Sequence, residues 1–344
     1  MMTLMINSAR SAFDYHAEDP QNSVELFRKL ELKSDAVVFL GNQQAELARL
    51  TLKEPEESEL VVDIDWSGIS TGTERLLWSG NMPAFPGLEY PLVPGYEAVG
   101  RIVYADSHPE LIGEHVFVPG ANCYQNAAGL FGATSSRIVI PEARAVRLER
   151  EAEQSDVLLA LAATAHHALA HSDLPQLVIG HGVLGRLIAR LVVALGGPAP
   201  TVWETNTQRQ DADGYTVLQP EADAHRSYTQ ICDVSGNVAA IDTAIAHAAK
   251  GAEIVLAGFY AERVSFDFPA AFMLEIAFKI AAEWDPADMD AVLTLRRRGL
   301  LSLDGLVTHT DAPRHAERAY RTAFSDADCL KMVLDWRGHH DHTA

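Results

Sequence analysis

Gln176–Glu204 reads QLVIGHGVLGRLIARLVVALGGPAPTVWE, and the reading of this stretch decides the fold. Leu177 to Ile179 is an apolar run of strand length. Gly180-His181-Gly182-Val183-Leu184-Gly185 follows, a complete G-x-G-x-x-G. Apolar residues then recur at Leu184, Leu187, Ile188, Leu191, Val192 and Leu195, a helical period, and Gly196-Gly197-Pro198 ends it. Thr201-Val202-Trp203 is a second strand-like run, closed by Glu204. Strand, glycine turn, helix, strand and carboxylate stand in the order a dinucleotide site needs.

Each residue type has its own reason. Gly180 permits the tight turn, Gly182 lets backbone approach a pyrophosphate, and Gly185 lets helix pack close to strand. Val183 and Leu184 open the helix, whose free N–H groups and positive dipole end suit phosphates. Glu204 is placed to accept hydrogen bonds from the adenosine ribose and to repel a 2′-phosphate, so NAD is expected over NADP. Arg209, a few residues on, pulls slightly the other way.

A chain of 344 residues suggests two domains and a large core. Its formal net charge of −20 argues against nucleic acid and anionic membrane surfaces, which demand a positive face. Cys123, Cys232 and Cys329 are far apart, so neither a disulfide framework nor a thiolate zinc cluster is expected. There is no apolar run of membrane-spanning length and no secretory leader pattern, and a cytoplasmic protein with reduced thiols is expected.

Outward from the glycine turn, two different textures appear. Before about Arg150 the chain reads as short strands punctuated by Gly and Pro: Ala36–Leu40, Glu59–Ile64, Val99–Tyr104, Gly113–Val118 and Ser135–Ile140. That is a β-rich, barrel-like domain. From Ser155 an alanine-rich helix leads into alternating strands and helices, a doubly wound parallel sheet of α/β class. The expected division is an appendage over 1–34, a β-rich domain over 35–151 and 285–344, and a cofactor domain over 152–284. After Trp284 we expect a helix from Ala287 to Arg298, a polar strand near Leu306 to His309, and a last strand over Lys331–Trp336.

This order of elements resembles the medium-chain dehydrogenase/reductase superfamily, over residues 35–340. Gly68-Ile-Ser-Thr-Gly-Thr-Glu74 is similar to the segment that carries the first catalytic zinc ligand. Pro94-Gly-Tyr-Glu97 is similar to the G-H-E segment carrying the second, and Gly113-Glu-His-Val116 to a G-D-x-V strand. The resemblance implies a GroES-like, partly open barrel as the catalytic domain and a Rossmann domain beside it. It also implies a dimer or tetramer. The departures are chemical. Ser70 or Thr71 stands where the zinc cysteine belongs, and Tyr96 replaces the histidine. Hydroxyls are not normal zinc ligands, so no metal is expected.

Together with Ala163-Thr-Ala-His-His-Ala168, these segments resemble the NAD-dependent dehydrogenases of bacteriochlorophyll biosynthesis. Those enzymes oxidise the 3-(1-hydroxyethyl) side chain of a chlorin or bacteriochlorin to an acetyl group. The implied substrate is therefore a bacteriochlorophyllide-type tetrapyrrole.

Oxidising a secondary alcohol without a metal needs a positioned proton acceptor. His166 and His167, on the helix entering the cofactor domain, are candidates for that base. Tyr96 is placed to hydrogen-bond the substrate oxygen, Thr73 to relay a proton, and Glu74 and Glu97 to orient them. Thr164 and Asp233, the latter at a parallel strand end, join the expected cofactor contacts. Trp66, Trp78, Phe131, Tyr260 and Trp284 are candidates to line a wide, flat pocket. Two rival readings share the fold: a zinc-free quinone or enoyl reductase, which Glu204 disfavours, and a non-catalytic dinucleotide-binding protein.

Overall fold

A computed structural model describes residues 32–340 except 42, 85, 212 and 213. Most of the expected appendage, 1–31, lies outside the described residues, and Lys33 already opens the first strand. Leu32, only 6% exposed, is packed into the core.

The glycine turn sits in a sheet of six parallel strands. Their order is Thr216–Leu218, Thr201–Trp203, Leu177–Ile179, Tyr228–Asp233, Ala248–Leu256 and Ala277–Ile280. From Leu177–Ile179 the chain builds outward one way and then returns to build the other way. The strand order therefore reverses between Leu177–Ile179 and Tyr228–Asp233, where an open α/β sheet forms its ligand crevice. Helix Val183–Ala194 buries Leu187, Ile188, Leu191 and Val192 of the stripe read from the sequence, while Leu184 lines the cleft and Leu195 is exposed.

The remaining strands form two further sheets. One orders Gln44–Thr51, Lys33–Gly41, Leu92–Val93 and Ala128–Gly129. The other centres on the long strand Glu59–Ile69, which pairs antiparallel with Ala98–Ala105, Arg137–Pro141 and, from the C-terminal end of the chain, Met332–Asp335. That last pairing delivers Lys331 to the end of Glu59–Ile69, two hundred and more residues away in sequence. One apolar cluster joins the halves: Val99, Phe117 and Val333 pack with Val157, Leu159, Leu187 and Met289.

Some elements differ from their expected form. The Gly68–Glu74 segment, expected as a loop, ends strand Glu59–Ile69 and opens a short helix, Thr73–Ser79, closed by Gly80 at φ +73°. Helix Phe268–Leu274 has Phe268, Phe272 and Met273 exposed, so it carries no amphipathic signal. The strand expected near Leu306 lies at His309–Asp311, because Leu303 and Leu306 are core anchors in a turn.

Candidate active site

The glycine turn has the shape a pyrophosphate requires. Gly180 has φ +100°, and a Cβ there would press on the backbone of Ser235. A Cβ on Gly185 would overlap the carbonyl oxygen of Gly180. At Gly182 a Cβ would meet nothing within 4 Å, so its backbone faces open space at the start of helix Val183–Ala194. Gly182, Val183, Leu184 and Gly185 line a cleft of 1860 Å³, together with Thr164. These residues fit a dinucleotide. Gly180 lies behind them as the turn's support. The Thr164 hydroxyl donates to its own helix, to the Ala160 carbonyl at 3.0 Å.

Neither Glu204 nor Asp233, both expected as cofactor contacts, is among the residues that line the cleft. Glu204 accepts from His181 N at 3.1 Å and from Asn206 N at 2.8 Å, so its carboxylate fastens the turn to the next strand. His181 is fully buried, with Nδ1 2.5 Å from the Arg209 carbonyl and Nε2 2.9 Å from the Tyr215 hydroxyl. Burial holds its imidazole below the ordinary value. Arg209 points away from the turn. Its guanidinium donates to the carbonyls of Ala327 at 2.6 Å and Cys329 at 3.3 Å, next to the C-terminal strand. Asp233 is buried and turned inward, accepting from Ser235 N at 2.8 Å and Ser235 Oγ at 2.7 Å. Burial pushes its carboxyl up. It is Val234, Ser235 and Gly236 that face the cleft at this strand end, in place of the expected Asp233.

Across the cleft, three hydroxyls meet. Ser70 and Tyr96 share a hydrogen bond of 2.5 Å, and Thr73 Oγ1 lies 3.5 Å from Tyr96 Oη. All three line the cleft. Phe131 packs edge-on to the Tyr96 ring, with centroids 5.4 Å apart. Burial, and then the charge of Glu97, push the phenol far above its usual value, so Tyr96 is a neutral donor and acceptor. Hydroxyls alone do not fit zinc, which takes Cys, His, Asp or Glu.

Two buried carboxyls lie beneath this trio. Glu97 pairs with Lys331 Nζ at 2.6 Å, the two 0% and 1% exposed. Lys331 also donates to the Ile69 carbonyl at 3.1 Å. Among the described residues Glu97 Oε1 has no hydrogen-bond partner, and a Cβ on Gly68 would overlap Glu97 Oε2, so a side chain there would displace the carboxylate. Burial pushes Glu97 up, and Lys331 opposes it. Glu74 accepts from Ser70 N at 3.0 Å and from the Tyr320 hydroxyl at 2.7 Å. Burial pushes its carboxyl up to about 7. Sequence reasoning placed Glu74 and Glu97 here but missed Lys331, since no local signal ties it to a partner 234 positions away.

The two candidate histidines are elsewhere. His166 Nδ1 lies 2.7 Å from one oxygen of Asp288 and His167 Nδ1 2.8 Å from the other, and neither ring lines the cleft. Asp288 is at the start of helix Pro286–Arg297, in a reciprocal cap with Asp285. Burial raises its carboxyl, but the Asp285 N–H and both imidazoles outweigh that and hold it below the usual value. The base role expected of His166 and His167 therefore has no support from their placement. Their shared hydrogen bonds to Asp288, which tie this helix to helix Pro286–Arg297, account for them. Among the described residues, ligand atoms of His167, Asp285 and Asp288 fall within 4.8 Å of one another, and those atoms are engaged in this cap.

Of the aromatic candidates, Phe131 and Trp284 line the cleft, with Phe259 and Met82. Trp66, Trp78 and Tyr260 do not. Trp66 stacks under the Arg337 guanidinium, 4.6 Å from its ring centre. No helix among the described residues is long and apolar enough to cross a membrane.

No family model matches the chain. Curated relatives do. The 2-desacetyl-2-hydroxyethyl bacteriochlorophyllide A dehydrogenase of Cereibacter sphaeroides is 51% identical over 315 residues, covering 89% of this chain and 99% of the relative. The protein of the same description from Rhodobacter capsulatus is 51% identical over 311 residues, with the same coverage. Among solved structures, L-idonate 5-dehydrogenase of Escherichia coli aligns with TM-score 0.78 at 17% identity, over 89% of this chain and 99% of that one. Acetophenone reductase of Geotrichum candidum, solved with NAD, aligns with TM-score 0.77 at 16% identity, over 89% and 98%. Those structural likenesses establish the fold, a GroES-like domain joined to a Rossmann domain. Given the identity and coverage of the two curated relatives, the chain belongs to the 2-desacetyl-2-hydroxyethyl bacteriochlorophyllide A dehydrogenase family.

Proposed function

We propose that this protein oxidises the hydroxyethyl side chain of a bacteriochlorophyllide-type tetrapyrrole to an acetyl group, with NAD as the hydride acceptor. The observation that carries the substrate is the 51% identity across 99% of the relative's length. The cleft supports it. A volume of 1860 Å³ exceeds the ~300–1,000 Å³ of common small-ligand pockets, as a macrocycle and a dinucleotide together demand. The preference for NAD rests on Glu204, whose carboxylate is fastened to the His181 amide of the glycine turn and would repel a 2′-phosphate brought near it.

A bound nicotinamide dinucleotide supplies the hydride acceptor. The protein supplies orientation and a route for the proton. Tyr96 Oη accepts a hydrogen bond from the substrate hydroxyl while donating to Ser70 or Thr73. As the hydride leaves carbon, the hydroxyl proton passes to Tyr96 and the tyrosine's own proton moves along the trio. Thr71 and Gly72, exposed beside Thr73, open that trio to solvent. Phe131, Phe259 and Trp284 offer flat apolar faces for the ring system.

A second copy of the chain belongs to the same reading. Phe268, Phe272, Met273 and Ile280 are 63–79% exposed around the edge strand Ala277–Ile280, an apolar face that a homo-oligomer would cover. Sedimentation reads that directly.

The deciding experiment incubates purified protein with NAD and a 3-(1-hydroxyethyl) bacteriochlorophyllide. NADH absorbance and an acetyl-bearing pigment should grow together. Dinucleotide binding without turnover of the pigment would overturn the proposal in favour of a non-catalytic binding protein.

A further inference from the structure

The cleft of this acidic molecule is lined by charges of both signs. The chain has a formal net charge of −20, and Arg144, Arg147, Arg150, Arg296, Arg297 and Lys331 line the cleft alongside the acids Glu149, Glu153, Glu283, Asp290 and Asp304. Most of these cations are matched by acids. Arg147 pairs with Glu114 at 3.4 Å, Arg150 with Asp156 at 2.7 Å, and Arg297 with Glu149 at 2.8 Å. Arg296 also bonds Asp156, and Lys331 bonds Glu97. Arg144 differs. Among the described residues it has no hydrogen-bond or ion-pair partner, and it is exposed to the cleft on the single turn Glu142–Arg144. That turn follows strand Arg137–Pro141, which is paired along its length to the central strand Glu59–Ile69. A planar guanidinium with five donors and no acid thus lines the cleft, on a turn whose preceding strand is fixed in the sheet.

We infer that Arg144 is the anchor for a carboxylate on the substrate. The inference rests on the proposed function and extends it. A chlorophyllide, unlike a chlorophyll, keeps a propionic side chain as the free acid, on a different pyrrole ring from the hydroxyethyl group. A strongly acidic protein repels such an anion except where an unpaired cation receives it. Arg144 binds the carboxylate in the two-pronged geometry that guanidinium favours, and the macrocycle then spans the cleft with its hydroxyethyl arm at Tyr96. Arg147, whose weak exposed pair with Glu114 costs little to break, is the neighbouring cation on the same edge. The anchor selects the free acid over its ester. It acts in binding, not in the chemical step.

The test compares the free-acid pigment with its propionate methyl ester, on wild type, Arg144→Gln and Arg144→Lys, with saturating NAD. Wild type should show a KM for the ester about tenfold or more above that for the acid, with similar kcat. Arg144→Gln should raise KM for the acid by the same factor, leave KM for the ester unchanged and keep kcat within about twofold. Arg144→Lys should recover part of the loss. Circular dichroism of the variants confirms folding. If wild type handles ester and acid equally, or if Arg144→Gln affects both alike, the anchor is overturned while the proposed function stands. If wild type oxidises neither pigment, the proposed function fails and the anchor fails with it.

Discussion

Tyr96 belongs to the segment whose sequence is similar to a G-H-E metal-binding motif, and here a phenol, a serine and a threonine stand together. Because burial and the Glu97 charge keep Tyr96 protonated, removing its hydroxyl takes away the only group of the trio that meets both others. Tyr96→Phe should lower kcat by roughly 100-fold with little change in KM for NAD, read by steady-state kinetics. Ser70→Ala should cost less, since Thr73 remains. A second residue sets a pH dependence of stability. Glu74 is held protonated up to about 7 in the folded protein, whereas an unfolded glutamate ionises near 4.5. Between those values the folded state binds more protons than the unfolded one, so stability falls as pH rises from 4.5 to 7 and is level above it. The amplitude is on the order of 3 kcal/mol. Glu74→Gln, which can still accept from Ser70 N and meet the Tyr320 hydroxyl, should flatten that slope in denaturant titrations. An unchanged slope would show that Glu74 ionises normally.

At the scale of elements, the glycine turn is a close packing of helix on strand. Gly185→Ala places a methyl against the Gly180 carbonyl, so the helix must shift outward. The expected cost is about 1–3 kcal/mol, with weaker NAD binding by calorimetry. Helices Leu159–Ala170 and Pro286–Arg297 are joined by His166 and His167 on Asp288. His166→Gln should lower the thermal midpoint and leave kcat within a few-fold, whereas a large loss of kcat at unchanged KM would return the ring to catalysis. Much of this level was legible in sequence. Leu177–Ile179 and Thr201–Trp203 fall where the apolar runs put them, because a strand buried on both faces has a continuous apolar signature. The Ser70, Thr73 and Tyr96 cluster was legible through its likeness to a metal site. Asp288, Lys331 and the inward turn of Asp233 were not, since each depends on a partner distant in sequence or on side-chain direction at a strand end. Helix Phe268–Leu274 escaped for a different reason, its apolar residues being exposed.

For the molecule as a whole, the two halves are held by one apolar cluster and a few polar ties across it. Arg209 is one of those ties, reaching from the loop after the Glu204 strand end to the Ala327 and Cys329 carbonyls. Sequence alone cast Arg209 as a mild attraction for a 2′-phosphate, but its guanidinium is already engaged. Arg209→Ala should therefore leave the ratio of kcat/KM for NAD over NADP nearly unchanged. A ratio that rises on substitution would show that the arginine had been serving NADP.

The same tie has an implication for the cohesion of the fold. Its acceptors are main-chain oxygens, which no change of side chain at Ala327 or Cys329 removes, so the clasp is undone by substitution at Arg209 itself.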